Sequence, residues 1–265
     1  ITALKARDQA AVAERSAAKI GEYDDIMRQR VEGGLSDRSE ARVLAQKLSE
    51  MQATAQADRD AASTAMAQLQ AMTAQPMDGI AGLGELPVPD ALPEALTIKL
   101  AQAEQGRTVA EAKMERAGHL PTLSAQAATG TGGPDVGLAM GVNQMLGLGT
   151  ADTLAAIQAS EEAAGARVAK AQQDDRLNLT ALRAKLAALE AKEARDGKVV
   201  AETGSGLDMF TEQYRMGRRT LMELVSMYES YAQMAHDQAG LKYDIALIKL
   251  EIARQHGILV DGSSI

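Results

Sequence analysis

"GHLPTLSAQAATGTGGPDVGLAMGVNQMLGLG", residues 118–149, breaks the pattern of everything around it. It is poor in charge and rich in glycine, while long alanine-loaded, charged segments flank it on both sides. Val136, Leu138, Met140 and Val142 alternate with Gly137, Ala139, Gly141 and Asn143. Period two is the strand signature, because successive side chains leave opposite faces. Leu123, Ala125 and Ala127 repeat the alternation, and "GTGGPD" (130–135) is expected to turn the chain between them. Each strand is about ten residues long, the length that crosses a bilayer at a tilt. Taken alone, the alternation favours a soluble β-hairpin packed on a helix. A lone hairpin is marginal in water and cannot sit in lipid with open edges, so it needs partners either way.

Outward from the hairpin the sequence is helical. Helices are expected over about 2–30, 37–74, 93–117, 151–214 and 220–255. "EGGLSD" and "YRMGRRT" serve as turns around Gly34 and Gly217. Leu44, Leu48, Met51, Ala55, Ala62, Met66 and Leu69 recur at three- and four-residue steps. So do Leu221, Leu224, Tyr228, Tyr231, Leu241, Ile245, Ile248 and Ile252. "QPMDGIAGLGELPVPDALP" (75–93) is too rich in proline and glycine for a helix and reads as a connector. Gly204 and Gly206 are the expected weak point of the fourth helix. A helix from Thr150 to Gly217 would run for roughly 100 Å, too long a rod for a globular domain of this size. The helices are therefore expected side by side, as antiparallel hairpins or coiled coils.

Composition agrees. Of 265 residues 46% are hydrophobic but only 2% aromatic, which suits narrow alanine-lined seams rather than a thick core. Met222, Met227 and Met234 read as seam filler. A net charge of −8 gives no basic footprint for nucleic acid. The absence of cysteine excludes disulfides and thiolate sites. No apolar run is long enough for a transmembrane helix. His119, His236 and His256 share no metal-ligand spacing, and His236 beside Asp237 reads as a solvated face. No nucleophile elbow, phosphate loop or zinc-protease motif is present, so neither an enzyme, a cofactor nor a metal is expected. The first residues read as the middle of a helix.

The two helical turns resemble one another: with Gly34 aligned on Gly217, Glu40 falls on Glu223. "GHLPTLS" (118–124) entering a strand from a helix, and "YRMGRRTLMELVSMYESYAQMAHDQAGLKYDIALIKLEIARQHGIL" (214–259), resemble the TolC family of outer-membrane efflux and secretion channels. "RVEGGLSDRSEA" matches the family's first-half counterpart, and the motifs occur in the family's order along nearly the whole chain.

The resemblance implies a mainly α fold with a small β part. Long antiparallel helical hairpins form a trimeric periplasmic α-barrel, and one strand pair contributes to a shared outer-membrane β-barrel. On that plan 1–74 is a first helical hairpin whose start is truncated, 75–92 an equatorial connector, and 93–117 the helix leading to the membrane. Residues 118–149 are the strand pair, 150–257 the second helical hairpin, and 258–265 a tail. A signal peptide, an early helix and a first strand pair are expected upstream of Ile1.

The same resemblance implies an exit duct of a tripartite efflux pump or type I secretion system, gated at its periplasmic tip. Its partners would be two further copies of the chain, a periplasmic adaptor, an inner-membrane transporter and outer-membrane lipid, in a Gram-negative cell. Carried over position by position, Tyr214 and Arg219 match the family's latch and engage Glu40, with Ser39 before it. Glu223 matches one acidic ring of the constriction, and Ser226 stands where the family has a second. Gly33, Gly34, Leu35, Gly217 and Arg218 match the adaptor-docking turns. Val136, Leu138, Met140 and Val142 match the lipid-facing strand. The alternatives stay open at this point: solvated tip residues, and a soluble coiled-coil scaffold with an incidental hairpin.

Overall fold

A computed structural model describes residues 1–73, 82–84, 88–89, 91–118, 121–130, 133–142 and 150–259. Within the strands, side chains are described at 125, 137, 138 and 141. Much of the connector and most of the C-terminal tail lie outside the described residues, as does His119. In chain order the elements are α1 (Thr2–Glu32), α2 (Arg38–Met72), α3 (Leu96–Gly118), β1 (Pro121–Gly130), β2 (Gly133–Val142), α4 (Thr150–Arg215) and α5 (Leu221–Gln255). The chain divides into two units, Ile1–Val88 with Leu182–Ile252, and Pro89–Ala181 with Ala253–Ile265.

In the first unit α1 and α2 form an antiparallel hairpin, against which α5 and the C-terminal part of α4 pack. Ile20, Leu44 and Val225 are fully enclosed, among Met27, Leu221 and Leu224. Burying each such side chain is worth about 1.5–3 kcal/mol, and Leu44→Ala would cost about 2–5 kcal/mol. Tyr23 meets Tyr228 edge-on at 6.0 Å, and Tyr231 extends the cluster at 5.9 Å. Burial pushes the Tyr23 and Tyr228 hydroxyls above the usual tyrosine range.

The stripe read from the sequence on α5 is the buried one, and α1 is buried alongside it. Ala3, Leu4, Ala6, Ala10, Ala13, Ala17, Ile20, Tyr23 and Met27 all face inward. Asp24 is buried with them, only 1% exposed, pairing through one carboxylate oxygen with Arg28. Its other oxygen has no hydrogen-bond partner among the described residues. Polar links tie α5 to α1: Lys5 donates to Asp244 at 2.7 Å, while Tyr243 donates to Asp8 at 2.6 Å beside Lys242. Burial raises the Asp8 carboxyl, but the Lys242 ammonium and Tyr243 hydroxyl outweigh it and hold the group below its usual range.

The fourth helix runs unbroken through Gly204 and Gly206. A β-carbon at these positions would lie 3.4 Å from Tyr231 and from Met227 respectively, at van der Waals contact with α5. His236 is not a solvated face: its ring is half-buried and its Nε2 lies 2.8 Å from Asp58 on α2.

In the second unit α3 and the first part of α4 run antiparallel, with Arg116 donating to Glu161 at 2.6 Å. Ile98, Ala112, Ile157 and Ala164 lie between them. The end of α5 closes on the start of α3. His256 is buried, and its Nδ1 donates to the Pro93 carbonyl at 2.8 Å, while Leu96 packs 3.0 Å from where a β-carbon on Gly257 would sit. The strands pair antiparallel from Pro121↔Val142 to Gly130↔Gly133. The expected turn over 130–135 is thus shorter, because Thr129 and Ala128 pair with Pro134 and Asp135 and leave only 131–132 between the strands.

Candidate functional site at the helical turns

Both turns are built on one backbone plan. Gly34 and Gly217 have φ of 73° and 72°, the left-handed region that favours glycine. In the first turn the Leu35 N–H donates to Arg30 O at 2.7 Å and the Gly34 N–H to Val31 O at 3.0 Å. In the second, the Arg218 N–H donates to Gln213 O and the Gly217 N–H to Tyr214 O, both at 2.8 Å. These are two Schellman motifs, closing the last carbonyls of α1 and α4. Three residues after each glycine comes the cap of the next helix. The Asp37 carboxylate accepts from the Ser39 N–H at 3.0 Å. Thr220 and Glu223 cap reciprocally: the Thr220 N–H donates to Glu223 Oε2 at 2.8 Å, and the Glu223 N–H donates to Thr220 Oγ1 at 3.2 Å. Glu40 stands at the position equivalent to Glu223.

The equivalence reaches the side chains. Arg30 Nε donates to Ser36 Oγ at 3.0 Å, and Arg219 Nε donates to Gln213 Oε1 at 3.1 Å. With Gly34 on Gly217, these are the same two positions, with the arginine on opposite sides of the turn. The sequence did not reveal this lacing, although the capping box Thr220-Leu-Met-Glu223 is legible as a motif.

Glu40, Tyr214, Arg218, Arg219 and Glu223 line one cavity of 440 Å³ between the two turns. Tyr214 is half-buried against the core, and Glu40 and Ser39 are exposed. Among the described residues no hydrogen bond joins Glu40 to Tyr214 or Arg219. Arg219 instead donates to Glu223 Oε1 at 3.2 Å and lies over the Phe210 ring at 4.7 Å. The Thr220 N–H, then the Thr220 hydroxyl and the Arg219 guanidinium, hold the Glu223 carboxyl below its usual range. Ser226 shares a second, open groove of 520 Å³ with Glu223 and Phe210. Gly33, Gly34, Leu35, Gly217 and Arg218 are all exposed, Leu35 to 72%. On β2, Leu138 is paired opposite Ala125 and is 73% exposed; the side chains of Val136, Met140 and Val142 lie outside those described.

This arrangement of helical hairpins and one strand pair is the fold of outer-membrane channels. The outer-membrane protein VceC of Vibrio cholerae superposes with a TM-score of 0.76 at 14% identity, over 97% of this chain and 66% of its own. A membrane protein from Pseudomonas aeruginosa gives 0.75 at 14% identity, over 98% and 66%. The CmeC outer-membrane channel of Campylobacter jejuni gives 0.66 at 13% identity, over 99% and 62%. The chain therefore spans slightly less than two thirds of the length of these structures. No protein-family profile matches the sequence, and neither does any curated protein. At these identities the likeness is one of fold, and it agrees with the TolC-family resemblance of the sequence motifs.

Proposed function

We propose that this chain is the greater part of an outer-membrane exit duct, serving a tripartite efflux pump or a type I secretion system. The observation that carries the proposal is the match of nearly the whole chain to solved outer-membrane channels. In this reading three copies assemble, the helices form a periplasmic α-barrel, and β1 and β2 join a shared barrel with Val136, Leu138, Met140 and Val142 toward lipid. The turns at Gly33, Gly34, Leu35, Gly217 and Arg218 dock a periplasmic adaptor, and an inner-membrane transporter supplies the energy. The duct catalyses nothing. Tyr214, Arg219, Glu40 and Ser39 form its gate, and Glu223 and Ser226 border the constriction. Exposed ion pairs of this kind are worth about 0–1 kcal/mol each, weak enough for a gate that must open.

The test is single-channel conductance of the full-length protein in planar bilayers, with outer-membrane fractionation alongside. Heat-modifiable trimers that conduct, and conduct more in the double variant Tyr214→Phe, Arg219→Ser, are expected. A detergent-independent monomer or dimer from the intact gene would instead identify a soluble scaffold.

A further inference from the structure

We propose, building on the gate reading above, that the α4–α5 turn carries its own holding site for Arg219, and that this site competes with Glu40 for the guanidinium. Phe210, Gln213 and Glu223 form it. Phe210 is the sole phenylalanine of the chain, and its ring lies under the arginine at 4.7 Å. Gln213 accepts the Nε–H at 3.1 Å and Glu223 accepts an Nη1–H at 3.2 Å. An aromatic face with two acceptors in fixed directions is the geometry a planar, multiply donating guanidinium selects.

Glu40 faces the same cavity, and its carboxylate has no hydrogen-bond partner among the described residues. Arg219 is therefore drawn two ways, toward its own hairpin or toward α2. Its side chain is 39% exposed, so each contact weighs only a few-fold in the equilibrium. Neither position locks. Glu223 is thus a positioning residue: it caps α5 and, with Phe210 and Gln213, sets how much Arg219 is available to Glu40. The position equivalent to Arg219 on the first turn holds Ser36, a hydroxyl that accepts from Arg30, so the cation there stands on the opposite side of its turn.

Two substitutions separate this role from plain structure. Glu223→Gln keeps a capping side chain at the third helical position and removes the charge. Phe210→Leu keeps apolar volume and removes the ring face. In full-length trimers in planar bilayers, each should lengthen the residence in the low-conductance state by about two- to fivefold, because Arg219 is released to Glu40. Both effects should vanish when Glu40→Gln is added. If Arg219→Ser raises conductance while Phe210→Leu and Glu223→Gln leave it unchanged, the gate stands and the holding site is wrong. Effects that persist in the Glu40→Gln background also overturn the competition. If Arg219→Ser itself changes nothing in an intact trimer, gate and holding site fall together. Gln213→Leu gives a third reading of the same kind should either variant fail to assemble.

Discussion

Gly217→Ala and Gly206→Ala, close together in the chain, should move local stability in opposite directions. Gly217 has φ of 72°, and nothing lies within 4 Å of the position its β-carbon would take. The substitution therefore meets no neighbour; it pays only the left-handed penalty, about 1–2 kcal/mol for an L-residue. Gly206 is in the interior of α4, where alanine is favoured over glycine by about 1 kcal/mol. Its new methyl would touch Met227 Cε at 3.4 Å, the end of a side chain that can shift. Part of that gain comes from a less flexible unfolded chain. Hydrogen exchange read by mass spectrometry resolves the two regions separately. Peptides containing the Arg218 amide should exchange about 5–30-fold faster in Gly217→Ala, the factor that one or two kcal/mol gives. Peptides across 200–210 should exchange about fivefold more slowly in Gly206→Ala. Wild-type exchange at Arg218 in the first variant, or faster exchange in the second, would refute the reasoning. Gly257→Ala should cost more than Gly217→Ala, since it adds the 3.0 Å approach to Leu96 to a φ of 68°.

Arg28→Ala should destabilise the α1–α2 hairpin by about 1–3 kcal/mol in urea unfolding, because buried Asp24 loses its ion pair; adding Asp24→Ala should recover most of the loss. His256→Phe removes the donor to the Pro93 carbonyl and should weaken the first turn of α3 by about 1 kcal/mol, seen as faster exchange of the Ile98 and Lys99 amides. Glu223 is held below its ordinary 4.5, so the cap it closes is complete above that value and is lost as pH falls through the lowered one. The Thr220 amide resonance should report a step centred below 4.5, absent in Glu223→Gln. Asp8 obeys the same sign: its links to Lys242 and Tyr243 hold above the ordinary aspartate value of 3.8 and fail on acidification below it, which paramagnetic distance measurement between α1 and α5 would follow.

The order of elements was legible because long helices and a strand pair differ in period, and glycine marks both tips. The seam of α5 was legible because its buried residues are leucine, isoleucine and tyrosine. The seam of α1 was not: alanine fills it, and alanine occurs on exposed faces just as often, so the stripe carries little contrast. Propensity marks Gly204 and Gly206 as weak but not what packs on them, which is Tyr231 and Met227 at van der Waals distance. Composition signals a turn over GTGGPD but not its register, which here carries pairing through Pro134. At the tips, aligning Glu40 with Glu223 was possible from sequence, whereas the partner of Arg219 depends on where Phe210 and Gln213 come to rest one turn earlier on α4.

The two Schellman turns share their backbone and differ in nearly every side chain that projects from it. Their shape is written by one left-handed glycine and a cap three residues on, so Leu35 and Arg218, exposed directly after the glycines, carry little structural duty. Those two positions amount to an interchangeable faceplate on a fixed mount. Exchanging Leu35 and Arg218 would alter the charge of each tip without redesigning either helix. If the turns dock an adaptor as proposed, one hairpin can acquire a new specificity while the other keeps its own.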